Sequence, residues 1–195
     1  MDVLFDLETL DLRPSAVVLS AAFIPFEFGG SRSFEDLVAS ANVIRFPIRP
    51  QVAAGRTICS DTLRWWTSPA IPAGLLNAQI DPTPNASMGH ICARLSIVRR
   101  LFNSEPLENV RWWCRGPALD GAVLGSLCSD AGVDAPWRYD RLRDVRTVLE
   151  ALAIPYPSPR PAGFVSHDPA HDAALDALAL QSAAKYSHLP TARPF

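Results

Sequence analysis

Val3-Leu4-Phe5-Asp6-Leu7-Glu8-Thr9-Leu10 runs from three apolar residues into an alternation of acid, apolar, acid. A strand points successive side chains to opposite faces, so Asp6 and Glu8 share one face and Leu7 takes the other. Two carboxylates held that close repel unless a cation lies between them or each has its own partner. The segment therefore reads either as the edge of a metal site or as a pair of solvated strand-end acids. Beyond the loop around Leu12-Arg13-Pro14, Ala16-Val-Val-Leu-Ser-Ala-Ala-Phe-Ile is a second, β-rich run. Gly29-Gly30 gives a hairpin signal ahead of a third segment reaching Val43-Ile-Arg-Phe-Pro-Ile, so the chain is expected to open with a three-stranded meander.

The pattern then turns helical. Ser60 or Asp61 can cap a short helix carrying Leu63, Trp65 and Trp66, stopped by Pro69. After the prolines 72, 82 and 84, a helix is expected from near Asn85 or Ser87 to Asn103, with Ile91, Leu95, Val98 and Leu101 at helical spacing. Val110-Arg-Trp-Trp-Cys reads as a strand and Gly116-Pro117 as a turn. Asp120 to Ala131 is expected as a helix ended by Gly132, and Arg141 to Ala153 as another. The prolines at 155, 157, 159 and 161 mark a loop or cover. A last helix starts near Pro169 and runs past Lys185, and the tail from Ser187 is expected to be loose. Strands first, then strands and helices interleaved, predict one α/β domain with a mixed sheet over residues 1–186.

Composition bounds the function. A chain of 195 residues that is 48% hydrophobic and 19% charged, with net charge -2, is neither a disordered polyelectrolyte nor a protein held to nucleic acid by bulk charge. Lys185 is the one lysine among 18 basic residues; the rest are arginines, whose forked guanidinium suits phosphate contacts. The longest apolar stretch, Ala16 to Phe26, contains Ser20 and Pro25 and falls well short of the ~20 residues that span a bilayer. Met1 is followed by Asp2 rather than a basic leader, and Cys59, Cys92, Cys114 and Cys128 show no metal-binding cadence. The expectation is a cytoplasmic domain with no membrane partner, and a homodimer is left open.

Two further segments join the acidic pair. Asp120 closes Trp113-Cys-Arg-Gly-Pro-Ala-Leu-Asp, where it could serve as a helix N-cap or reach into a site at a strand end. His167-Asp-Pro-Ala-His-Asp-Ala-Ala-Leu-Asp carries two histidines and three acids. Asp168 before Pro169 is a plausible cap, and His171 and Asp172 could be solvated first-turn residues. Together, several carboxylates from different elements suit a pair of hard divalent cations, and a histidine beside them suits proton transfer near neutral pH.

With these segments in order, the sequence resembles the DEDDh, or DnaQ-like, 3′–5′ exonucleases of the ribonuclease-H-like fold. Phe5-Asp-Leu-Glu-Thr-Leu resembles the first motif, Trp113-x-x-Gly-Pro-x-Leu-Asp120 the second, and a histidine five residues before an acid the third. Thr62-Leu-Arg-Trp-Trp and Asp144-Val-Arg-Thr resemble segments of a bacterial and phage branch that also holds exoribonuclease-like members. Leu119 stands where many members carry phenylalanine. Both His167/Asp172 and His171/Asp176 satisfy the bare spacing of the third motif. His171/Asp176 is the preferred register, because Ala173 matches the small residue two after the histidine, where the other register has Pro169.

The resemblance implies a mixed five-stranded sheet flanked by helices and a metal-dependent exonuclease acting on single-stranded DNA or RNA 3′ ends. It implies two Mg²⁺ or Mn²⁺ ions held by Asp6, Glu8, Asp120 and Asp176, with Asp6 bridging and His171 as general base. Thr9, Leu10, Trp65, Trp66 and Arg115 are candidate substrate contacts, with one tryptophan of the 65/66 pair in the core and the other lining the groove. A split of the same kind is expected for Trp112 and Trp113. Rival readings are a non-catalytic nucleic-acid-binding subunit of the same fold and an enzyme restricted to RNA or short oligonucleotides. A metal phosphohydrolase built on His-Asp pairs would need more ligands than four histidines supply.

Overall fold

The computed structural model describes residues 1–83, 85–102 and 109–185. Pro84, Asn103 and the tail from Ser187 lie outside the described residues. Five strands form one mixed sheet in the order β3-β2-β1-β4-β5. They are β1 (Asp2–Thr9), β2 (Val18–Phe26), β3 (Asn42–Arg45), β4 (Arg111–Cys114) and β5 (Leu142–Asp144). The first three are antiparallel neighbours, while β4 lies parallel to β1 with Leu4 opposite Trp113, and β5 lies parallel to β4. This is the α/β, ribonuclease-H-like arrangement, with β1 at its centre.

The opening is not a plain meander, because α1 (Phe34–Ala39) is inserted between β2 and β3. Ser33 caps it by accepting the Asp36 N–H, and Gly29 turns the chain with a φ of +77° instead of closing a hairpin. Four short or medium helices follow β3: α2 (Ile48–Ala53), α3 (Ser60–Trp66), α4 (Leu75–Gln79) and α5 (Met88–Phe102). On α5 the inward row is Ile91, Leu95, Val98 and Phe102, and Leu101 points outward. The expected helix from Arg141 begins instead as strand β5, and α7 (Val145–Ala151) starts only after Asp144 caps it through the Arg146 N–H. Between β4 and β5, α6 (Ala122–Asp130) follows a single π-type turn at Pro117–Gly121. The last helix, α8 (Pro169–Gln181), is capped by Asp168, which accepts the N–H groups of Ala170 and His171, and continues as a 3-10 turn at Ser182–Lys185. No helix among the described residues is long and apolar enough to cross a membrane.

Period-two alternation divides the core. Val3, Phe5 and Leu7 pack with Phe23 and Trp112 against α5 and α6, while Leu4, Ile24 and Trp113 pack against α1, α7 and α8. Trp112 and Trp113 therefore both lie in the core, on opposite faces, and neither lines a groove. Asp2, Asp6 and Glu8 share the face of Leu4, under α8. Asp2 is paired there with Arg111, whose Nε donates to it at 2.7 Å, and also accepts the Trp113 indole N–H at 2.8 Å.

Trp112 is the hub of the α5/α6 face, with the rings of Phe5, Phe23, Phe102 and Trp137 at 6.3, 6.4, 5.8 and 6.0 Å. Trp112→Ala is expected to cost about 3–5 kcal/mol in urea unfolding, and Trp112→Phe clearly less.

Candidate active site

Three elements converge at the C-terminal end of β1. Asp6 and Glu8 come from the strand itself, with Glu8 at the position where the β1–β2 register shifts. Asp120 comes from the π-type turn after β4; the helix proper starts two residues later, so its carboxylate is not a cap and faces the cluster. Asp172 and Asp176 come from α8, one turn apart and therefore on one side of the helix.

The electrostatics differ from those of an ordinary surface cluster. Burial first, then the charges of Asp120, Glu8, Asp172 and Asp176, push Asp6 well above the usual carboxylate range. Burial and then Asp172, Asp120 and Asp168 do the same to Glu8. Asp120 is pushed up to about 7 by burial and Asp176, with Arg146 and Arg115 pulling it back. Asp172 is pushed up to about 6, mainly by burial. Asp2, on the same strand face, has an arginine within bonding distance; Asp6 and Glu8 are surrounded by other acids. An oxygen-rich, mutually repelling set of this kind fits hard divalent cations such as Mg²⁺ or Mn²⁺.

The two histidines are separated by the helix start. Because Asp168 caps and Pro169 opens α8, His167 lies in the loop ahead of it, whereas His171 lies inside its first turn. Glu8, His167 and Asp172 each offer a ligand atom, all within 4.8 Å of one another. His167 has a φ of +65°, a conformation uncommon for a side chain with a Cβ, and Asp172 Oδ2 accepts its backbone N–H at 2.7 Å. Such strain persists where the surroundings over-determine it, often at functional positions. Burial lowers the His167 pKa. His171 faces elsewhere: its Nδ1 accepts the Val165 N–H at 2.9 Å, and its ring sits 5.6 Å from Phe34 and 6.3 Å from Phe164.

Asp176 belongs to the cluster by charge but not by hydrogen bonding. Arg115 Nε lies 2.9 and 3.0 Å from its two oxygens, and the Tyr156 hydroxyl donates to Oδ1 at 2.8 Å. The pair brought to Glu8 is His167 and Asp172, not the preferred third-motif pair, and Arg115, a candidate substrate contact, is engaged by Asp176. The signal for this lay in the Asp168-Pro169 dipeptide, which sets where the helix begins.

The remaining candidates sort by burial. Leu10 and Trp66 are core residues of a small cluster with Val17, Leu19, Ile71 and Leu75, and Trp66 Nε1 donates to the Thr9 carbonyl at 2.9 Å. The Thr9 hydroxyl donates to the Asp11 carbonyl. Trp65 is 39% exposed, and its ring meets His167 edge-on at 4.7 Å. Trp66 is thus the core member of the pair and Trp65 the exposed one.

Groups that bind protons more tightly folded than unfolded make stability fall as pH rises between the two pKa values. For Asp120 and Asp172 that window runs from the ordinary carboxylate value of about 4 to about 7 and about 6. The metal-free protein is therefore expected to melt at a higher temperature at pH 5 than at pH 8, and Asp120→Asn to flatten that dependence. Calorimetry in chelator checks both.

Two comparisons bear on the whole chain. Residues 1–187 match the model of the Rv2179c-like family, described as a 3′-5′ exoribonuclease Rv2179c-like domain. The chain is also 28% identical over 208 residues to an exodeoxyribonuclease of Enterobacteria phage T4, covering 95% of this chain and 90% of that protein. A mixed five-stranded sheet flanked by helices, an acidic centre at the end of its middle strand and a family match across nearly the whole length agree: the chain belongs to the Rv2179c-like 3′-5′ exoribonuclease domain family.

Proposed function

We propose that this protein is a DEDDh-type 3′–5′ exonuclease that removes 5′-mononucleotides from single-stranded nucleic acid. In this reading Asp6, Glu8, Asp120 and Asp172 hold two Mg²⁺ or Mn²⁺ ions and His167 is the general base. The observation that carries it is the meeting of Glu8, His167 and Asp172 within 4.8 Å, beside Asp6 and Asp120. The alternative assignment, Asp176 with His171, would require Arg115 and Tyr156 to release Asp176 and Val165 to release His171.

The divalent cations, when bound, supply the positive charge that makes water nucleophilic near neutral pH and stabilises charge building on the phosphoryl group and the departing 3′ oxygen. The chain's own residues do the rest. Burial lowers the His167 pKa and so favours the neutral imidazole, the form able to take the proton of the attacking water. Trp65, edge-on to His167, orients that ring and presents its outer face to a terminal base, a contact tolerant of base identity. Both sugars stay open as substrates, since 2′-OH recognition depends on loop geometry.

The test is digestion of matched 3′-recessed and single-stranded DNA and RNA, 5′-labelled, in Mn²⁺ or Mg²⁺. A 3′-to-5′ ladder is expected, lost in Asp6→Ala and in chelator. His167→Ala should slow turnover by roughly 10²–10⁴-fold, well beyond His171→Ala. If His171→Ala is the more damaging change in a folded protein, the assignment of the base fails. A folded wild-type protein that binds both oligonucleotides and cuts neither would favour a non-catalytic subunit.

A further inference from the structure

Five acids crowd this centre, and one of them is treated differently from the rest. Asp176, with its side chain 3% exposed, receives Arg115 Nε at 2.9 and 3.0 Å, a second bond from Arg115 Nη2, and the Tyr156 hydroxyl at 2.8 Å. The Arg115 guanidinium also lies over the Tyr156 ring, 4.1 Å from its centroid. Arg160 continues the stack, 5.5 Å from Tyr156 and 4.8 Å from Phe164, and Phe164 reaches His171 on the first turn of α8. The proline-rich segment around 155–161 thus supplies a ring and a cation that lock a charged pair against α8.

A carboxylate with both oxygens occupied by a planar guanidinium and one by a phenol has little left to offer a metal. Its place one turn beyond Asp172 suits a different task. Arg115 follows β4, the parallel neighbour of β1, so a bidentate bond from Arg115 to Asp176 ties the azimuth of α8 to the sheet. Asp172 lies one turn earlier on the same side of that helix.

We propose that Arg115 and Asp176 are a positioning pair, not a phosphate contact and a metal ligand: the guanidinium is the site's resident counter-cation, and the bond it makes, braced by Tyr156, holds α8 so that Asp172 meets Glu8 and His167. This rests on the metal assignment given above. Arg115 plays its part through Asp176 and the helix, without touching the reacting atoms.

The experiment pairs a binding readout with kinetics. Mn²⁺ binding to the full-length protein is followed by the electron paramagnetic resonance of free Mn²⁺, for wild type, Asp172→Asn, Asp176→Asn, Arg115→Lys, Arg115→Gln and the Arg115→Gln/Asp176→Asn double variant. Oligonucleotide cleavage is measured on the same samples. Asp176→Asn is expected to keep the wild-type Mn²⁺ stoichiometry, and Asp172→Asn to lose a site. Arg115→Gln and Asp176→Asn should each lower kcat by about 10–100-fold with a smaller change in KM, as for outer-shell partners of metal ligands. The double variant, which strands neither charge of the pair without its partner, should be no worse than the poorer single, and Arg115→Lys should recover part of the loss. Loss of a Mn²⁺ site in Asp176→Asn, or additive losses in the double variant, would overturn the pairing. Retention of every site in Asp172→Asn would overturn the metal assignment itself, and the pairing with it.

Discussion

Like charges brought together under a helix are the constraint on which the rest of this molecule depends. Strand β1 is apolar on one face and carries Asp2, Leu4, Asp6 and Glu8 along the other, and α8 lies across that second face. Packing the helix down removes water from carboxylates that repel one another, which is why burial heads the causes that raise Asp6, Glu8, Asp120 and Asp172. The apolar interface between α8 and the sheet, with Leu4, Ile24, Trp113, Ala173, Ala174 and Leu175, supplies the energy that holds this arrangement together.

The three kinds of acid on that face show how the fold distributes charge. Asp2 is matched by Arg111 and a tryptophan N–H, and is structural. Asp176 is matched by Arg115 and Tyr156. Asp6, Glu8 and Asp120 face other acids, and in that respect form the part of the cluster suited to divalent cations. Position on the helix and strand, more than residue type, separates these roles. The two histidines divide in the same way: His171 within the helix accepts the Val165 N–H and packs against phenylalanines, while His167 is a strained loop residue beside Glu8.

Much of this was legible in the residues. Alternation in Val3 to Glu8 placed both acids on one face, and the order of strands and helices predicted a mixed α/β sheet; that β1 lies at its centre is seen only in the strand order. What local pattern missed was short and context-dependent. Helix α1 is six residues long and hidden behind Gly29-Gly30, and β5 is three residues long and becomes a strand only because β4 offers it a parallel partner. Leu101 matched the helical spacing, yet Phe102 takes the inward position, because helix rotation is set by what the helix packs against.

By itself the sequence determined the periodicity of β1, the Asp168-Pro169 start of α8 and the identity of every acid near the site, since these follow from covalent order and local backbone preference. It left two registers of the last motif equal in spacing. Only the tertiary structure decided which acid faces Glu8, because that depends on how α8 is rotated against the sheet it packs on. Spacing along a chain counts residues; the distance between two carboxylates depends on the packing of everything between them.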